Sequence, residues 1–267
     1  LFVLGSVFLT DADGIIELTD NASGAVKETI LDNYMLQAVG PYLIITIILV
    51  LLAAMIHFSR FPEIDDSSET QAESESANKK NLFMFPHLLF GIIALFISAA
   101  CEVIPIDGII LDSSALGIPI SESRYFAQYP LVAMTLGYVA SILLIPRYFS
   151  QQSALLACTI WGMTMTIAAY MTETIMSIVF VIIMGFSSAM LWGTIWGLAL
   201  KGLGRFTKMG SALLLMAVVG GGIFPVIFGR LIDINLSLPQ NAILLLLPCN
   251  LVLLGYSLYI FRRTGTL

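Results

Sequence analysis

IMSIVFVIIMGFSSAMLWGTIWGLAL, from Ile175 to Leu200, runs without a single charged side chain and decides the fold class. A bilayer core about 30 Å thick is crossed by roughly 20 apolar helical residues. Backbone in hydrocarbon must satisfy its own amides and carbonyls, which a helix does internally. The stretch therefore reads as a transmembrane helix. Working outward from it, the same rule finds six more spans, at 40–58, 86–106, 125–145, 152–171, 209–231 and 240–261, and takes LFVLGSVFLT at the start as the tail of another. Apolar residues make up 58% of the chain and charged residues 11%, with a mean hydropathy of +0.93. A soluble domain usually carries about 25% charged residues, so there is too little charge here to coat a water-facing surface. The fold class is an all-α membrane protein whose main partner is the lipid bilayer. The formal charge of -6 comes mostly from acids clustered in 11–32 and 63–75 and indicates no nucleic-acid partner.

Lys and Arg set the orientation, because cytoplasmic loops near helix ends are enriched in them. Arg60, Lys79, Lys80, Arg147, Lys201, Arg205, Lys208, Arg262 and Arg263 fall on one side of an alternating topology, and Lys27, Arg124 and Arg230 on the other. That places 59–82 and the C-terminus in the cytoplasm and the acidic 11–39 loop outside. The run DDSSETQAESESANKKN from Asp65 is too polar to fold by itself and reads as a flexible linker. The chain thus divides into 1–58, the remnant of a preceding half with an external loop and one span; 59–82, the linker; and 83–263, a six-helix bundle. That is the arrangement of one half of a two-halved transporter. Because the chain begins inside an apolar stretch, the N-terminal half is expected to be missing. The expected location is the plasma membrane, the inner membrane in a bacterium. Cys101, Cys158 and Cys249 lie in apolar runs without CxxC spacing and read as small packing residues, so neither a metal site nor a cofactor is expected.

An acid inside a span is the main chemical signal, since a charge at mid-membrane costs about 3 kcal/mol on insertion scales. Glu102 follows HLLFGIIALFISAAC and is assigned a titratable or hydrogen-bonding role facing a central cavity. Asp107, five residues on, is placed near the external surface, and Pro105 between the two acids is expected to kink or open the helix. Ser188, Trp192 and Trp196 recur every four residues and share one helix face. Ser188 and Trp192 are assigned to the cavity, where a hydroxyl bonds the edge of a sugar ring and an indole stacks on its C–H face; Trp196 is assigned to the interfacial belt. Gln128, near the outer end of its span, and Asn250, at the middle of its own, are further candidate donors. The triplet Gly220, Gly221, Gly222 followed by Pro225 marks either a hinge or a simple close contact with a neighbouring helix. His57 and His87 lie near cytoplasmic ends and are assigned no role.

The stretch MGFSSAMLWGTIWGLALKGLGRFTKMGSALLLMAVVGGGIFPVIFGRLID, 184–233, resembles helices ten and eleven of the fucose and glucose/galactose permease branch of the major facilitator superfamily. The shared pattern is a helix ending in LALKGLG, a Gly-Ser pair opening the next, then a Gly triplet, a proline and a terminal Asp. Ala100-Cys101-Glu102-Val103 is similar to the Gly-Ala-Glu-Val of helix seven. The resemblance implies a major-facilitator bundle seen from the end of helix five to helix twelve, importing a sugar by cation-coupled alternating access between two six-helix halves, with proton or sodium as coupling ion. It implies that Glu102 is the helix-seven acid and that Ser188 and Trp192 lie on the helix-ten cavity face. This chain departs from the family where helix ten usually has Asn and Pro (Ser188 and Gly193 here), and where helix eight carries Gly-Arg-Phe (Gly137-Tyr138-Val139 here). These positions bear on which solute is carried.

Two other classes compete. One is a major facilitator carrying a non-sugar solute; the other is a seven-helix receptor, although the last span has no Lys for a retinal Schiff base. An enzyme is not expected: no HExxH, no Ser/His/Asp or Cys/His grouping and no paired intramembrane acids are present.

Overall fold

The computed structural model describes residues 24–58, 81–145, 147–172, 174–234 and 240–264. The leading apolar stretch, most of the proposed linker and the start of the acidic external loop lie outside these residues. The described residues form α1 (Ala25–Phe58), α2 (Pro86–Ala115), α3 (Ile120–Phe126), α4 (Gln128–Leu144), α5 (Gln151–Met171), α6 (Ile175–Leu200), α7 (Thr207–Ala217), α8 (Gly220–Ile234), α9 (Gln240–Ile243) and α10 (Leu246–Thr264). Each of the seven expected spans falls on helix. The chain separates into two units, Leu1–Ser67 with Pro119–Tyr125, and Ser68–Ile118 with Phe126–Leu267.

In the first unit, α1 starts at Ala25, well ahead of the span expected from residue 40. The span rule locates what can cross lipid, not where a helix begins. Ala25 to Leu36 contains good helix formers, and Glu28 in the first turn complements the helix dipole. The helix therefore extends into the stretch assigned to a loop.

In the second unit, α6 is the central pillar. α2, α4 and α5 pack around it; α2 also carries α7, α8 and α10, and α10 returns to pack on α5. Leu95, Leu155, Met184, Leu191, Ile195 and Leu214 are sealed in the core. The α4–α6 contact needs missing side chains on both helices. A Cβ at Gly137 would collide with the Phe186 carbonyl oxygen, and one at Gly185 would meet the Pro130 carbonyl oxygen at 2.8 Å. α2 runs unbroken through Pro105 to Ala115, so the expected opening of the helix there is not found. Asp107 is exposed and lies about 12 Å short of the helix end, at 1.5 Å per residue.

His87 ties together the basic ends of three helices. Arg263 Nη1 lies 2.9 Å from His87 Nδ1, and His87 Nε2 lies 2.9 Å from the Lys201 carbonyl oxygen. A guanidinium only donates. Nδ1 therefore accepts, Nε2–H donates to Lys201, and the ring is neutral. A residue given no role from the sequence is the clasp between the ends of α2, α6 and α10.

Candidate functional site

Antiparallel packing of α2 on α6 fixes what lies at each depth. Gly91 faces Ala199 at one end, and Ser177 Oγ donates to Asp112 Oδ2 at 3.0 Å at the other. In that register Glu102 comes level with Ser188, one turn from Trp192. The same layer takes in Gly137 and Tyr138 of α4, because Gly137 opposes Phe186 and Ala189. It includes Asn250 of α10 through Cys101, and Gly221 of α8, which faces Ala99 and Val103. The polar residues of four helices and the glycine triplet thus share one transverse level near the middle of α2.

Within the layer the side chains divide into spent and available. Asn250 is 1% exposed; its Nδ2 donates to the Leu246 carbonyl at 2.9 Å, while Cys101 Sγ–H points to its Oδ1 at 4.0 Å. Gly162 leaves room for that oxygen, so Asn250 joins α10 to α2 and α5. Ser188 is buried and gives its hydroxyl to the Gly185 carbonyl in its own helix at 2.9 Å. Both of these expected ligand contacts have their polar atoms occupied by the bundle. Glu102, by contrast, is half-buried, and among the described residues no hydrogen bond or ion pair reaches its carboxylate. Pro105 lacks an amide hydrogen, so the Cys101 carbonyl beside it also loses its helical donor.

Tyr138 of α4 is exposed and stands within electrostatic reach of Glu102. The sequence marked Tyr138 only as a departure from a family pattern; helix packing makes it the neighbour of the acid. Gln128, at the start of α4, is half-buried and lies more than two turns away along that helix. Trp192 and Trp196 are half-buried and stack on one another, with centroids 5.8 Å apart and planes 19° apart. The two indoles behave as one aromatic surface rather than as a cavity ring and a separate belt ring. Among the described residues no hydrogen bond joins either indole to Glu102.

The residues of the expected hinge have unlike surroundings. α7 and α8 are separate helices, joined at Val218 and Val219 by i→i+3 bonds: Val218 N–H to Leu215 O at 3.2 Å, Val219 to Met216 at 3.3 Å, Gly221 to Val218 at 2.9 Å and Gly222 to Val219 at 3.0 Å. Such tightening inside a span marks a bend. Gly220 lies against the Phe96 carbonyl oxygen of α2, leaving no room for a Cβ, whereas nothing approaches a Cβ at Gly222 within 4 Å. A tightened turn and a close helix contact therefore lie within a few residues of one another. Pro225 sits inside α8, nearly two turns beyond Val219. Asp112, missed because the expected span stopped at 106, is buried at the far end of α2 and links it to α6 through Ser177.

No family model matches the chain. It is 24% identical over 200 residues to the glucose/galactose transporter of Brucella abortus, covering 72% of this chain and 47% of that one. It is 23% identical over 242 residues to the L-fucose-proton symporter of Escherichia coli, covering 89% and 54%. The crystal structure of the E. coli fucose:proton symporter superposes with a TM-score of 0.67 over 92% of this chain and 60% of that one, at 21% identity. The chain is thus similar to members of the fucose and glucose/galactose permease branch of the major facilitator superfamily, and it shares their fold. Its described helices are a major-facilitator bundle and multi-pass membrane structure, and its relatives are transporters, not enzymes. The chain spans about half the length of the curated relatives it matches. In this fold, the transverse layer at Glu102 is the candidate functional site.

Proposed function

We propose that this chain forms one wall of a sugar importer driven by a cation gradient, with Glu102 as its coupling acid. The observation that carries the reading is a half-buried carboxyl near the middle of a membrane-length apolar helix, with no hydrogen bond or ion pair among the described residues, in the same layer as the tightened α7–α8 junction. An unneutralised charge there costs about 3 kcal/mol. Loading the carboxyl with a proton or sodium ion removes much of that cost, and so changes which of the outward- and inward-facing states is favoured. Tyr138 offers a hydroxyl to a sugar in this layer, and the Trp192–Trp196 pair offers an apolar face to its C–H groups; Gln128, about 15 Å along α4, would meet the solute at an earlier point of its path. The names of the relatives, a glucose/galactose transporter and an L-fucose-proton symporter, support a hexose or deoxyhexose as solute.

In this reading the clustered basic helix ends face the cytoplasm, the protein resides in the plasma membrane, and a second bundle of the full transporter supplies the opposite wall. The test is uptake of labelled glucose, galactose, fucose and amino sugars by the full-length protein in proteoliposomes, with and without an inward proton or sodium gradient. At least one sugar is expected to accumulate only when a gradient is imposed. Absence of uptake for all of them removes the sugar assignment, and uptake indifferent to both gradients removes the coupling.

A further inference from the structure

On the side of α6 turned away from Glu102, α4, α5 and the loop that joins them enclose a cavity of about 180 Å³ that reaches from the loop to the depth of the Glu102 layer. Leu144, Ile145 and Phe149 line it at the loop end, Ala157 and Trp161 along α5, and Phe186 on its floor. From Ala154 to Trp161 it follows α5 for about 10 Å. Its walls are almost wholly apolar. Pockets that enclose a drug-sized molecule run from roughly 300 to 1,000 Å³, so this one has room for a stretch of hydrocarbon chain and not for a hydrated solute. Two of the lining residues, Ile145 and Phe149, flank Arg147, which is exposed and lies beside the Tyr148 ring with its guanidinium carbon 5.8 Å from the ring centroid. Arg147 is also the only charged residue between Arg124 and Glu173. An apolar slot thus lies beside a loop that carries one exposed arginine, for which no ion pair is found among the described residues.

We propose that this slot is a binding site for an anionic phospholipid, with one acyl chain between α4 and α5 and the phosphate on Arg147. Charge complementarity selects this occupant: a zwitterionic lipid could fill the slot but would gain less from the arginine. Basic residues at the cytoplasmic ends of membrane helices recognise anionic headgroups in this way. The site lies on the opposite side of α6 from α2, which carries Glu102, and does not depend on the transport assignment.

Trp161 supplies the readout. In full-length protein with Trp161 as the sole tryptophan, lipids brominated on the acyl chain will quench its fluorescence when they occupy the slot. Brominated phosphatidylglycerol is expected to reach half-quenching at a mole fraction about fivefold below brominated phosphatidylcholine, as about 1 kcal/mol for one basic residue at an anionic surface implies. Arg147→Gln should erase the headgroup preference. Ala157→Phe, which fills the slot from the exposed face of α5 with Arg147 left in place, should erase it as well. Equal quenching by the two lipids overturns the proposal, as does a preference that survives either substitution. Shielding of Trp161 from both lipids also overturns it, because a second copy or another protein's helix would then be seated in the slot. Neither outcome bears on sugar uptake, so failure here and failure of the transport reading are separable.

Discussion

α6 and the α7–α8 span are both apolar enough to cross a bilayer, yet 56% of the first is buried inside the bundle and only 22% of the second. α6 is continuous and surrounded by α2, α4 and α5. The α7–α8 span is broken at Val218–Val219 and leaves Leu215, Met216, Val219, Ile223 and Val226 exposed. Hydropathy reports that a segment prefers lipid to water, but it does not distinguish a pillar from a lever. That difference comes from how many sides of the helix meet protein and whether its hydrogen-bond ladder is intact. α2, which carries Glu102, packs on both, so the acid's helix joins the continuous element to the interrupted one.

Glu102→Gln is the sharpest way to break this comparison, because it keeps the shape and removes the charge. If the acid couples ion binding to the conformational state, gradient-driven accumulation should fall by a factor of roughly 5 to 150, the range of ordinary coupling energies. Exchange of sugar at equilibrium, which needs no net ion movement, should persist. Wild-type accumulation by the variant would show that the acid is a bystander.

The two outer glycines of the triplet sharpen the comparison within α8 itself. Gly220→Ala drives a methyl group into the Phe96 carbonyl of α2, and backbone must shift to accept it, at about 1 to 3 kcal/mol. Gly222→Ala meets nothing and should stabilise the helix by up to about 1 kcal/mol, the propensity gap between the two residues. Thermal unfolding in detergent should therefore move in opposite directions for the two variants. The same direction for both would mean that the triplet acts only as a flexible unit. If the bend is needed for transport, Gly222→Ala should also slow uptake while raising stability.

A smaller effect is expected on the pillar side. His87→Ala deletes the acceptor for Arg263 and the donor to the Lys201 carbonyl, leaving groups near the bundle end to be satisfied by water. The loss should be about 1 to 3 kcal/mol, read by thermal unfolding, with sugar affinity unchanged. A shift in affinity instead would tie the clasp to the site.

How much of this was legible beforehand follows from which interactions are local. The sequence by itself determined that the chain crosses lipid, since 26 residues from Ile175 to Leu200 without a charge have no stable alternative to a membrane helix. It also determined that Glu102 is a costly residue, because the price of a carboxylate in hydrocarbon is set by its immediate surroundings. Tertiary structure alone decided that Asn250 and Ser188 spend their polar atoms inside the bundle, that Tyr138 is the neighbour of Glu102, and that Gly220 and Gly222 do different things. Each of those outcomes depends on which residue of another helix arrives at the same depth. That register is settled by the packing of whole helices against one another, and no window of sequence around a single residue contains it.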